Sequence, residues 1–212
     1  MASPSENPLK ASLQPPEPPP DDEMGDEANP LGERLPHELP LIPLNGVVLF
    51  PFTMTSLTLE RPEEIELTEE VAAGDRLVAF VPLKPDVHEA EGPDSFFPYG
   101  CVGRIVKLLR FPDDTVRVLV RGLHRVELLS VGEYEGKFDG FVQIVEEAAP
   151  DTMQVEALAR QVRDQFEEII GLSPQLPEEL RIALFNIDDR GRMADLIADT
   201  IELGYEEKLG VL

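Results

Sequence analysis

The chain has 212 residues and a mass of 23.6 kDa, enough for one large domain or two small ones, with a core that needs no disulfide or metal staple. Its formal charge is -24, from 18 basic and 42 acidic residues. The whole chain therefore lacks the phosphate-neutralising face that a nucleic acid partner requires. One cysteine, Cys101, excludes an intrachain disulfide, suits a reducing compartment, and reads as a small buried apolar residue.

Met1 to Lys10 lacks a basic stretch followed by an apolar run, and no segment approaches the roughly 18 uninterrupted apolar residues of a membrane span. The expectation is a soluble, cytoplasmic protein without a membrane partner. Residues 1–40 hold ten of the 21 prolines and nine acidic residues against two basic ones. Such a segment buries too little apolar area to offset ordering its backbone, so residues 1–38 read as a disordered acidic tail. The run Pro15 to Pro20 with Asp21-Asp22-Glu23 behind it also has the form of a docking arm for a proline-reading module, although composition alone accounts for it.

Composition changes abruptly at Leu41. Two apolar runs, Leu41 to Leu44 and Val47 to Phe50, are split by Asn45-Gly46, a turn signal, while Pro43 and Pro51 restrict these strands to edges, ends or bulges. Strands are expected at Ser56 to Glu60 and Arg76 to Leu83. Between them, Pro62 to Ala73 reads as a surface helix, with proline at its start, Glu63 and Glu64 in its first turn and Gly74 at its end.

From Tyr99 to Glu147 the pattern is β. Val116, Val118 and Val120 alternate with Arg117, Leu119 and Arg121, and Phe111-Pro112-Asp113-Asp114 turns the chain back on Cys101 to Arg110. Val126 to Leu129 and Phe138 to Val145 extend the sheet, with Gly132, Gly136 and Gly140 at turns or bulges. Past Ala149-Pro150 the period becomes helical. Val155, Leu158, Ala159, Val162, Phe166, Ile169 and Ile170 share one face of a first helix. A second starts near Pro177 with Leu180, Ala183, Leu184 and Ile187 inward. A third follows Asp188-Asp189, read as a capping pair, with Met193, Leu196, Ile197 and Ile201 inward, and a fourth begins before Leu212. Strands followed by helices, rather than alternation, define an α+β protein: a β-rich subdomain over residues 39–149 and a small helical bundle over 150–212.

Catalytic constellations are missing from this sequence. It has no phosphate loop of the form G-x-x-x-x-G-K-[ST], no H-E-x-x-H, no paired cysteines and no G-x-S-x-G. His37, His88 and His124 are isolated from one another. We therefore assign no catalytic residue, no cofactor and no metal. Arg104, Lys107, Arg110, Arg117, Arg121 and Arg125 all fall in the long hairpin region. Two readings stay open: interstrand ion pairing, or a positive stripe suited to acidic peptides or a subdomain contact.

The order of these segments carries a resemblance. Leu39 to Leu44, Val47 to Pro51, Tyr99 to Ile105, Pro112 to Arg125 and Asn186 to Asp195 together resemble the N-terminal substrate-binding domain of the Lon family of ATP-dependent proteases over about residues 39–209. The resemblance implies a PUA-like pseudobarrel followed by helices. It also implies a noncatalytic module that recognises unfolded or damaged proteins in protein quality control and proteolysis, with a protease or self-association as further partners. In that family the ATPase and the Ser-Lys peptidase lie in downstream domains, neither of which is encoded here. Both a free-standing recognition protein and the N-terminal fragment of an ATP-dependent serine endopeptidase fit this. The Glu-rich helix at 63–70, the exit through Pro82 to Pro85 and the acidic leader depart from the family pattern.

For the binding surface, two turns stand out. Phe50-Pro51-Phe52-Thr53-Met54 ends one strand, and the loop Lys84 to Pro98 delivers Phe96-Phe97 beside Tyr99. Phe50, Phe97 and Tyr99 are expected in the core. Phe52, Met54 and Phe96 are the candidates for exposure and for contact with apolar segments of a substrate.

Overall fold

The computed structural model describes residues 35–113, 115–145 and 152–212. The expectations for the acidic tail and for the junction at Ala149-Pro150 lie outside these residues. Strands β1 (Glu38–Leu44), β2 (Met54–Leu59), β3 (Leu77–Pro82), β4 (Tyr99–Arg110), β5 (Val116–Tyr134) and β6 (Lys137–Ile144) precede four C-terminal helices, with α1 (Pro62–Ala73) between β2 and β3. β1 thus begins at Glu38, inside the segment assigned to the tail.

The six strands form one mixed sheet in the order β2-β5-β4-β3-β1-β6, and β6 also pairs with β5. The pairings therefore run full circle through five strands, leaving β2 attached on one side only. The second apolar run, Val47 to Phe50, forms no strand. β1 pairs with β6 over Glu38–Leu41 and with β3 over Leu41–Leu44, and the chain after Gly46 does not return along it. Val48, Leu49 and Phe50 are buried instead as irregular chain. Pro43 is tolerated inside this three-strand arrangement because the pairing with β6 ends at Leu41.

β4 and β5 form the long hairpin, and β5 runs unbroken to Tyr134 rather than restarting at Val126. Its irregularities are taken up by bulges, at Val102/Gly103 and Ile105/Lys107 against β4 and at Leu128/Ser130 against β6. Glu135 and Gly136, both with positive φ, make the two-residue turn into β6, where the twist of the strands favours that conformation. Gly132 and Gly140 sit within paired strands instead. The core inside the sheet gathers Ile42, Leu49, Val78, Phe80, Ile105, Val116, Val118 and Val120, and α1 covers it with Leu67 and Val71.

The C-terminal helices are α2 (Met153–Leu172), α3 (Glu179–Phe185), α4 (Arg190–Thr200) and α5 (Tyr205–Val211). Thr152 caps α2 and Asp189 caps α4, the latter accepting from the Arg192 amide at 2.7 Å. Phe166, Ile170, Leu184 and Met193 make a small core among the helices. A separate cluster of Val48, Phe50, Ala198, Leu209 and Leu212 joins α4 and α5 to the strands, with Phe97, Tyr99, Leu203 and Tyr205 packed around it.

Candidate functional site

The turn after Phe50 is built on β5. The Phe52 amide donates to the Gly122 carbonyl and the Gly122 amide to Thr53, both at 3.0 Å, while the Thr53 hydroxyl donates to the Phe50 carbonyl at 3.0 Å. The approach is so close that a Cβ on Gly122 would lie 2.1 Å from the Phe50 carbonyl oxygen; only glycine fits here. These bonds hold Phe52 at φ 62°, a left-handed conformation that costs an L-residue roughly 1–2 kcal/mol. Phe52 is half-buried, and the Arg192 guanidinium of α4 lies 4.1 Å from its ring centroid, within cation–π range. Met54 follows and is 55% exposed.

Phe96 behaves differently from the expectation. It is only 3% exposed and packs edge-on against Phe138 of β6, with ring centroids 5.4 Å apart. The loop that carries it is fastened from several directions: Leu83 bridges to Phe96, the Phe97 amide donates to Pro82, the Lys84 amide to Ser95, and the Asn45 side chain to His88. A bonded loop turns its aromatic inward, so Phe96 belongs to the core with Leu83 and not to an exposed rim. Phe97 and Tyr99 pack with the cluster around Phe50 as expected, 6.3 Å apart between centroids.

Antiparallel register defines a second surface beside Met54. Met54, Arg121 and Arg104 stand opposite one another across β2, β5 and β4, followed by Ser56, Leu119 and Lys107, then Thr58, Arg117 and Leu109. Directly paired residues share a sheet face, and the alternate residues Leu57, Val118 and Val120 are buried, so these rows form the outward face. It carries four cations and no carboxylate. The two readings of the basic residues thus divide. Arg125 is an interior residue, Arg110 pairs with Glu69 of α1, and Arg117 lies over the Phe111 ring at 5.0 Å.

Arg125 instead joins strands to helices. Its guanidinium meets Asp195 of α4 at 2.7 Å and donates to the Val211 carbonyl at 3.3 Å. Burial outweighs the attraction of Arg125 and pushes the Asp195 carboxyl up to about 6. The Tyr205 hydroxyl adds a second link, donating to the Leu83 carbonyl at 2.6 Å. Cys101 is fully buried, which drives its thiol up to about 12 and leaves it without thiolate character.

The helical face expected to be wholly inward is only partly so. On α2 Phe166 and Ile170 are buried, but Leu158, Val162 and Ile169 are exposed. The reason is length. Twenty residues of α2 extend about 30 Å, whereas seven residues of α3 cover about 10 Å. Ile182 and Phe185 of α3 are exposed as well, and periodicity could not signal this because it reports an apolar face without its cover. A cleft of about 580 Å³ between α1 and β6 is lined by Glu70, Asp75, Tyr134, Lys137 and Asp139, with Lys137 spanned by Glu66 and Glu70. Among the described residues no cluster of histidine, cysteine and carboxylates has the form of a metal site, and no helix is long and apolar enough to cross a membrane.

The family model described as the ATP-dependent protease La (LON) substrate-binding domain matches residues 38–212. The chain belongs to this family. Among its relatives, the Lon protease of Dictyoglomus thermophilum is 36% identical over 84% of this chain and 22% of its own length. Lon protease 1 of Bacillus subtilis is 30% identical over 86% of this chain and 24% of its own. The chain thus spans about a fifth of the length of the Lon proteases it matches. In fold it is similar to the N-terminal domain of the Mycobacterium avium complex Lon protease, with a TM-score of 0.67 over 82% of this chain and 88% of that one at 15% identity. The matched region is the substrate-binding domain of the Lon architecture, and the resemblance carried by segment order is confirmed. Arg192 over Phe52 and the outward rows beside Met54 were not singled out from sequence. The strand alternation of Arg117, Leu119 and Arg121 was the signal that marked that face.

Proposed function

We propose that the chain is a noncatalytic recognition module that binds exposed apolar segments of unfolded or damaged proteins in protein quality control. The observation that carries this reading is the match of residues 38–212 to a substrate-binding domain. Phe52 and Met54 are the proposed contacts, a half-buried ring and a flexible thioether at one strand end, adaptable to varied apolar side chains. The circle of strand pairings supports a PUA-like pseudobarrel, with the helices bundled beside it. We place the protein in the cytoplasm.

The test is binding of reduced, carbamidomethylated lactalbumin, a permanently unfolded protein, by anisotropy. A Phe52→Asn/Met54→Ser variant keeps a residue tolerant of the left-handed region at position 52. It should lose affinity by about tenfold, as two contact residues can carry, while its melting midpoint stays put. Unchanged affinity in a folded variant would place the contact surface elsewhere.

A second reading rests on length, since the Lon relatives extend far beyond the matched region. Here the module serves as the N-terminal part of an ATP-dependent serine endopeptidase. An open reading frame continuing past Leu212 into a phosphate loop supports it, and a stop codon there supports the free-standing module.

A further inference from the structure

The outward face of β2, β5 and β4 is positive on a chain whose formal charge is -24. Among the described residues, no carboxylate lies within ion-pair distance of Lys107, Arg117 or Arg121. Asp113 at the hairpin turn feels Arg117 only as a minor influence on its own titration. Neighbouring cations that no carboxylate ion-pairs repel one another. Between these cations the same face exposes Met54, Leu109 and the neighbouring Phe111. β2 is paired on one side only, and Met54–Leu59 contains no proline and no charge, the usual devices that block an edge strand.

We propose that this face binds an extended, acidic and apolar segment of a substrate protein, in which carboxylates alternate with aliphatic side chains. The proposal rests on the substrate-recognition reading and specifies its substrate class. An extended chain laid along β2 pairs its backbone with the open edge. Strands lie about 4.8 Å apart, so its outward carboxylates come within reach of the long Arg117 and Arg121 side chains. Its aliphatic groups, alternating with them, point to the opposite face of the sheet, the side of Leu57 and Leu59. Charge complementarity selects the occupant: the local positive face attracts acidic segments and repels basic ones, and long-range repulsion from the remaining acidic surface restricts binding to ligands that fit closely. The open edge of β2 offers backbone pairing that an extended peptide can return and a nucleic acid cannot.

The test uses the full chain and three labelled probes: a peptide alternating glutamate and leucine, its lysine and leucine counterpart, and oligouridylate. The expected result is preferential binding of the glutamate peptide, weakening as salt rises, because exposed charges are screened. Arg117→Glu/Arg121→Glu should lower affinity for that peptide by about tenfold or more and raise affinity for the lysine peptide. Equal binding of the two peptides, insensitivity to salt, or tighter binding of oligouridylate would overturn the proposal. The salt series on the unaltered protein decides the matter even if the double variant fails to fold. Unfolded lactalbumin is measured alongside. If it does not bind the unaltered protein, the recognition reading itself fails. If it binds while the glutamate peptide is not preferred, only the assignment of this face fails.

Discussion

In the strand body Ile42, Val78, Phe80, Val102, Val116 and Val120 are completely or almost completely buried, whereas Leu172 of α2 and Phe185 of α3 are 76% and 79% exposed. Both regions have well-patterned apolar residues, so the difference lies in closure. The strand pairings return from β6 to β5, and a sheet that curls back on itself covers its own inner face. Each alternate side chain then finds neighbours without help from another element. Helices cannot do this. An amphipathic helix needs a partner of matching length, and α3 spans only part of α2. Apolar surface left on the helices is thus a property of their packing, not of their composition.

The largest expected effect tests the closed core. Phe80→Ala should cost about 3–5 kcal/mol, the range for emptying an aromatic site that cannot collapse, read as a lowered urea midpoint. A loss comparable to that of a surface change would show the strand core to be loosely packed. Next comes the joint between the regions. Asp195→Ala removes the carboxylate that neutralises a mostly buried Arg125, and about 3 kcal/mol should be lost. Retention of full stability would mean that the helices are held chiefly by the cluster around Phe50.

A smaller effect is expected at Gly122. Alanine there meets the Phe50 carbonyl, forcing the turn off β5 at about 1–3 kcal/mol, with loss of the slow exchange of the Phe52 amide. Titration sharpens the comparison further, since burial raises carboxyls in both regions, Glu64 in α1 and Asp195 and Asp199 in α4. Burial raises Glu64 of α1 to about 7, chiefly by desolvation, and Asp195 of α4 to about 6. A carboxyl raised in the folded state holds its proton longer than in the unfolded chain. Its contribution is therefore greatest below its ordinary range and is lost as pH rises through the folded value. Stability should rise on acidification from neutrality towards about pH 5. Asp195→Asn should flatten the part of that rise below about 6 and Glu64→Gln the part nearer 7. Identical slopes in all three proteins would refute the assignment. The smallest effect is Phe185→Ser, within about 0.5 kcal/mol as for other exposed sites. A large loss would mean that α3 is covered after all.

How much of this was legible depended on whether local pattern or long-range pairing decides. The helix Pro62 to Ala73 was readable to its ends, because proline, an acidic first turn and a closing glycine act within a few residues. The hairpin of β4 and β5 was readable for the same reason. The second half of the Asn45-Gly46 motif was not: it is buried as irregular chain, with Val48 and Phe50 packed against Ala198, Leu209 and Leu212, which come from distant sequence. Met54 was chosen correctly for exposure from its turn, whereas Phe52 is half-buried beneath the Arg192 guanidinium. Phe96 was not chosen correctly, because the bonds fastening its loop to Leu83 and Pro82 and the ring of Phe138 are tertiary contacts.

Sequence by itself determined the family, the order of strands before helices and the inward valines of β5, since each is written in residue type and spacing along the chain. Tertiary structure alone decided which apolar residues are covered, where the cations gather and how Arg125 meets Asp195. Burial and electrostatic pairing depend on distance in space, and residues 70 positions apart in the chain become hydrogen-bonded neighbours only once the sheet has closed and α4 has docked.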